Sequence, residues 1–228
     1  MFYLDNASRL ALLTGVWDLL HDAIHLQGCS DLAGPLQRVK SNADRLTSAV
    51  PAKEEARKRL SRLVQEAEEM EASLDQEITD LSLNLQCFGR MGDKSTAYAI
   101  ETLFPKGVRA VIRPTGSAQL AVYKCFAEQL GRIQIPLLVL EQAQKIQSGI
   151  RSFDEVLQAK KTQKHLLKEA GQEVITAEAE LRAALKDLER YAGFFLKAEE
   201  IKQWTAPLKR RVKKPKAASA SEAVENGK

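Results

Sequence analysis

The chain has 228 residues, 44% of them hydrophobic, with only 12 glycines and 7 prolines. That usage suits a packed helical core and argues against disordered, collagenous and β-rich classes. The formal charge of +4 is local: residues 207–228 hold seven of the 34 basic and two of the 30 acidic side chains, so the remaining body is neutral and a basic surface spread over the whole protein is excluded.

The first 20 residues, MFYLDNASRLALLTGVWDLL, carry no basic n-region and no small-residue cleavage site, so they read as a helix of about 5–27 and not as a leader. Leu10, Leu13, Trp17, Leu20 and Ile24 recur at three and four residues and give it one apolar stripe. His21, His25 and Cys29 follow at single-turn spacing and are a metal candidate. The histidine-bearing side of the helix borders that stripe, and no HExxH or ExxH supplies further ligands, so no cofactor or metal is expected.

A second helix is predicted from about Asp31 to Ala49, with Leu32, Leu36, Val39, Ala43 and Leu46 inward. Pro51 is expected to open a third, over about 51–87, because a missing N–H is harmless in a first turn. Leu60, Ala67, Leu74 and Leu81 lie seven apart, with Val64, Ile78 and Leu85 as companion row. The charged positions of residues 66–80 are all acidic and are expected to face solvent.

A short helix follows at about 94–104, and then PKGVRAVIRPTG, where β-branched residues gather between turn formers. With no second strand to pair with, this stretch is read as an ordered loop or a small hairpin. Lys106, Arg109, Arg113, Thr115, Gly116 and Ser117 make it an anion-binding candidate: guanidinium and ammonium groups beside free N–H groups where the helix of about 117–130 begins. It is no P-loop, since GxxxxGK[ST] is absent.

The last long helix is predicted over about 136–195, kinked or broken near Gly149, where Ser152 and Glu155 read as a capping box. Leu167, Val174, Leu181, Leu188 and Phe195 recur every seven residues, beside Ala170, Ala177, Ala184 and Tyr191. The phase runs back through Phe153 and Ile146, with Lys160 as a gap. The four lysines of 160–168 complement the acids of 66–80, so an antiparallel pairing with Leu74 opposite Leu167 is expected.

Six of the eight residues from Lys209 to Lys216 are basic: Lys209, Arg210, Arg211, Lys213, Lys214 and Lys216. With Pro207, Pro215 and a small-residue end, disorder is expected from about Pro207. The run suits phosphate or an anionic membrane surface, a nuclear address, or solubility alone; without aromatics, any nucleic-acid binding through it is sequence-independent.

Three unpaired, widely spaced cysteines are expected to be buried reduced thiols. No apolar run approaches the ~20 residues of a membrane span. The sequence thus reads as all-α: an elongated antiparallel helical bundle with two long coiled-coil-like helices, a single domain over 1–206, and a disordered basic tail over 207–228. No nucleophile–base grouping stands out, so a cytoplasmic, non-enzymatic scaffold or adaptor is expected, with a protein partner or a homo-oligomer. The alternative is an accessory nucleic-acid-binding protein acting through its tail.

Overall fold

A computed structural model describes residues 32–92, 94–115, 117–133 and 137–209. The described residues form six helices and no strand: α1 (Ala33–Arg90), α2 (Lys94–Leu103), α3 (Arg109–Ile112), α4 (Ser117–Arg132), α5 (Leu137–Ala192) and α6 (Ala198–Lys209). The fold is an all-α bundle built on two long helices, α1 of 58 residues and α5 of 56, packed antiparallel. The chain divides into two compact units, one of Met1–Pro51 with Gln172–Lys228 and one of Ala52–Gly171.

In the first unit, Leu32, just before α1, and Leu36, Val39 and Leu46 of α1 bury against Ala177, Leu181, Ala184, Leu185 and Leu188 of α5. Arg45 spans the seam: its Nε donates to Glu173 Oε1 at 2.6 Å and its Nη1 to Glu180 Oε2 at 2.5 Å. The expected heptad rows hold through Leu188, but Tyr191 in the last turn of α5 is exposed, as is Phe195, because the chain leaves the helix in a turn at residues 193–196. Lys197 N then donates to Glu200 Oε2 at 3.0 Å, one arm of a capping box, and opens α6. Ile201 and Thr205 anchor it, and helix continues through Pro207 to Lys209, past the point where disorder was expected to begin.

In the second unit, Ala67, Leu74, Ile78, Leu81 and Leu85 of α1 share a core with Ala99 and Leu103 of α2, Phe104, Val111 of α3, Tyr123, Phe126 and Leu130 of α4, and Val139, Ala143, Ile146, Ile150 and Phe153 of α5. Aromatic pairs tie the short helices in: Phe104 to Phe126 at 5.4 Å between centroids, and Tyr123 to Phe153 at 5.9 Å and edge-on.

Two helix boundaries differ from expectation. Pro51 lies inside α1, not at a start. Apolar contacts on both sides of it, Leu46 in one unit and Ala67 in the other, outweigh the carbonyl that proline leaves without its helical donor. Helix α5 likewise passes Gly149 unbroken. Ser148 Oγ donates to Lys145 O at 2.8 Å, while Ser152 and Glu155 stay exposed on the continuing helix and cap nothing.

The register also differs. Gln163 Nε2 donates to Ala56 O at 3.1 Å, Lys145 pairs with Glu77, and Asn84 Nδ2 donates to Gln142 Oε1 at 3.0 Å. Leu74 therefore meets Gly149 and not Leu167, a displacement of about 27 Å along the helix. The acidic and lysine-rich stretches do not face each other. Apolar complementarity within the Ala52–Gly171 unit, where the short helices share the core of the pair, sets this register, and exposed charges are too weak to override it.

Candidate functional site

The loop between α2 and α4 is neither hairpin nor open loop. Pro105 and Lys106 turn the chain, Gly107 takes φ +79°, and hydrogen bonds Ala110 N to Gly107 O (3.1 Å) and Val111 N to Val108 O (2.9 Å) close one helical turn, α3. Only glycine adopts that φ without strain. Burial of Val111 supplies the reason for a helical turn in a β-branched stretch.

Lys106, Arg109 and Arg113 are three and four residues apart along this turn, all exposed, and none has an ion-pair partner among the described residues. Thr115 is exposed as well, Ser117 is the first residue of α4, and Gly116 lies outside the described residues. The three predicted cations thus lie on and beside the α3 turn, with Lys106 lining a groove shared with Ala121, Cys125 and Gln129 of α4.

Beneath the loop is a polar network that the sequence reading does not identify. Gln119 Nε2 donates to Val111 O (3.2 Å) and to Asp75 Oδ1 (3.3 Å), and the Tyr123 hydroxyl donates to Asp75 Oδ1 at 2.5 Å. Asp75 is therefore an exception to the expectation that the acids of 66–80 face solvent. Burial holds its carboxyl above the ordinary value, with the Tyr123 hydrogen bond pulling back. Burial and the neighbouring carboxylate together raise the Tyr123 phenol. The signal available in sequence was Gln119 and Tyr123 one turn apart, on the side of α4 that carries Phe126.

Between α3 and α4 lies a groove of about 340 Å³, walled by Leu103, Pro105, Val111, Val122 and Phe126, with Lys106, Cys125 and Gln129 also lining it. Its lining is mostly apolar, with the Lys106 ammonium and the Cys125 thiol as its ionisable groups. A second groove, on α4 and α5, is bridged by Lys124 Nζ and Asp154 Oδ2 at 2.7 Å, which holds the Asp154 carboxyl below its ordinary range.

Cys87 and Cys125 are exposed free thiols, contrary to the buried ones expected: each falls on the solvent side of its helix. Among the described residues no group of three or more His, Cys, Asp or Glu could hold a metal ion, and no helix is long and apolar enough to cross a membrane. His21, His25 and Cys29 lie outside the described residues, as do Arg210, Arg211, Lys213, Lys214 and Lys216; Lys209 is the last residue of α6. No family model, curated protein or solved structure matches the chain.

Proposed function

We propose that this chain is a non-enzymatic scaffold or adaptor whose helices present surfaces for self-assembly or for protein partners. The observation that carries the reading is the aromatic turn that ends α5: Tyr191, Phe194 and Phe195 are all exposed, Phe194 to 74%. Adjacent exposed aromatics are expensive to leave in water and are enriched in the cores of protein interfaces. Exposed, unpaired Cys87 and Cys125 also fit a reducing cytoplasm.

Sedimentation of the full chain over a concentration series tests the self-assembly form. Association that weakens at least about tenfold when Phe194 and Phe195 are both replaced by Ser supports it, since interface aromatics commonly contribute that much. A single monomeric mass at every concentration, unchanged in the variant, overturns it.

A further inference from the structure

The register of α1 against α5 leaves one surface of the Ala52–Gly171 unit rich in uncompensated positive charge. With Gln163 bonded to Ala56 O, the lysines of 160–168 lie beside residues 53–62 of α1, a stretch that is itself basic. Residues 53–62 and 160–169 together hold nine Lys or Arg against three Glu. Two of those acids are engaged locally, Glu55 with Arg59 Nε at 3.1 Å and Glu169 with His165 Nδ1 at 3.3 Å, which leaves Glu54.

Lys161, Lys164 and Lys168 recur at three and four residues and form one exposed stripe on α5. Across the seam stand Lys53 and Arg57 of α1, one turn apart on one face, and none of these five has an ion-pair partner among the described residues. Like charges held side by side destabilise the fold, and the register carries the acids of 66–80 away from the α5 lysines they could offset.

We propose that this face binds the phosphate backbone of double-stranded nucleic acid, independently of sequence. The stripe from Lys161 to Lys168 runs about 10 Å along its helix, enough to meet about three phosphates of one strand at ~3.4 Å each. The two cation rows are separated by about the 8–10 Å between packed helices, a spacing that lets flexible side chains straddle a duplex groove about 6–12 Å wide. Leu166 is the one large apolar side chain exposed on α5 within the patch, so the aromatic or apolar anchors of a protein-binding hot spot are missing there. The surface is distinct from the basic tail and from the aromatic turn after α5, and its fate is independent of the scaffold reading.

The test is binding of the full chain to a fluorescent mixed-sequence DNA duplex across a salt series. Three proteins are compared with the unaltered chain: a patch variant (Lys161→Gln, Lys164→Gln and Lys168→Gln), its conservative counterpart with Arg at the same positions, and a tail variant (Lys213→Gln, Lys214→Gln and Lys216→Gln). The patch variant is expected to bind at least about tenfold more weakly at low salt, with a salt slope shallower by about 2.7, at ~0.9 per lost phosphate contact. The Arg variant is expected to retain binding, and a matching thermal melt by circular dichroism shows that the exposed Gln substitutions leave the fold intact. Absent binding at low salt, or a patch variant with unchanged affinity and slope, overturns the proposal. Displacement of the duplex by polyglutamate as readily as by unlabelled duplex, at equal charge, also overturns it and assigns the face to an acidic protein.

Discussion

A methyl group placed on Gly149 would lie 2.8 Å from Leu74 Cδ2, closer than real Cβ atoms approach a neighbour. Leu74 is buried and cannot swing into solvent, so the two long helices meet here at a distance set by glycine. Gly149→Ala gains roughly 1 kcal/mol of helix propensity and loses about 1–3 kcal/mol to overpacking, a net destabilisation. Leu74→Ala alone is expected to cost about 2–5 kcal/mol. In the Leu74→Ala background the crowding is gone, so Gly149→Ala is expected to change sign and stabilise. Denaturant midpoints of the four proteins check this, and additive effects would count against the contact.

Asp75 makes stability depend on pH in a direction opposite to most carboxylates. Its folded-state pKa is raised above the ordinary 3.8, first by burial, so the folded chain binds more protons than the unfolded chain between the two values. The burial penalty is full above the folded value and is relieved as pH falls through it. Asp75→Asn is therefore expected to be most favourable relative to the parent near neutrality, with its advantage shrinking as pH falls toward 3.8. Tyr123→Phe removes the short hydrogen bond, costs about 1–3 kcal/mol near neutrality and steepens the same profile. Thermal melts of the three proteins over the acid range measure both.

Pro51 and Gly171 are the residues at which the two units divide, one on each long helix, and both are poor in a helix interior. A Cβ at Gly171 meets nothing within 4 Å. Gly171→Ala is expected to stabilise by about 1 kcal/mol and Pro51→Ala by up to about 3 kcal/mol. Hydrogen exchange should show the fastest amides within α1 and α5 near these two residues, slowed in the variants.

Arg45, between Glu173 and Glu180, is an exposed cluster whose effect should respond to salt. Its hydrogen bond, then its charge, hold the Glu173 carboxyl below the ordinary 4.5 and raise the guanidinium in turn. A depressed carboxylate contributes stability above its unfolded value and loses it as pH falls through the folded one. Arg45→Gln should lower the melting temperature slightly at low salt and neutral pH. The difference should vanish near 1 M salt, where the screening length falls to about 3 Å, and well below pH 4.5.

Much of the bundle was readable from spacing alone. Leu74, Leu81 and Leu188 recur at seven-residue intervals within their rows because each helix must bury one face, and all three are buried. The helix of 94–104 and the start at Ser117 were legible for similar reasons of local chemistry. Charge pattern misled: the acids of 66–80 and lysines of 160–168 invited a pairing that the structure does not make, because exposed ion pairs contribute little beside a buried apolar seam.

What the sequence by itself determined is therefore the helical class, the inward faces and the presence of two long partners, all of which follow from local propensity and periodicity. Tertiary structure alone decided that α1 continues through Pro51, that α5 continues through Gly149, and that Leu74 meets Gly149. It also decided that Asp75 turns to Tyr123, and that Lys161, Lys164 and Lys168 lie beside other cations. A helix repeats its pattern every few residues and many registers bury the same stripe; only shape at the crowded contacts, a glycine against a leucine, selects one of them.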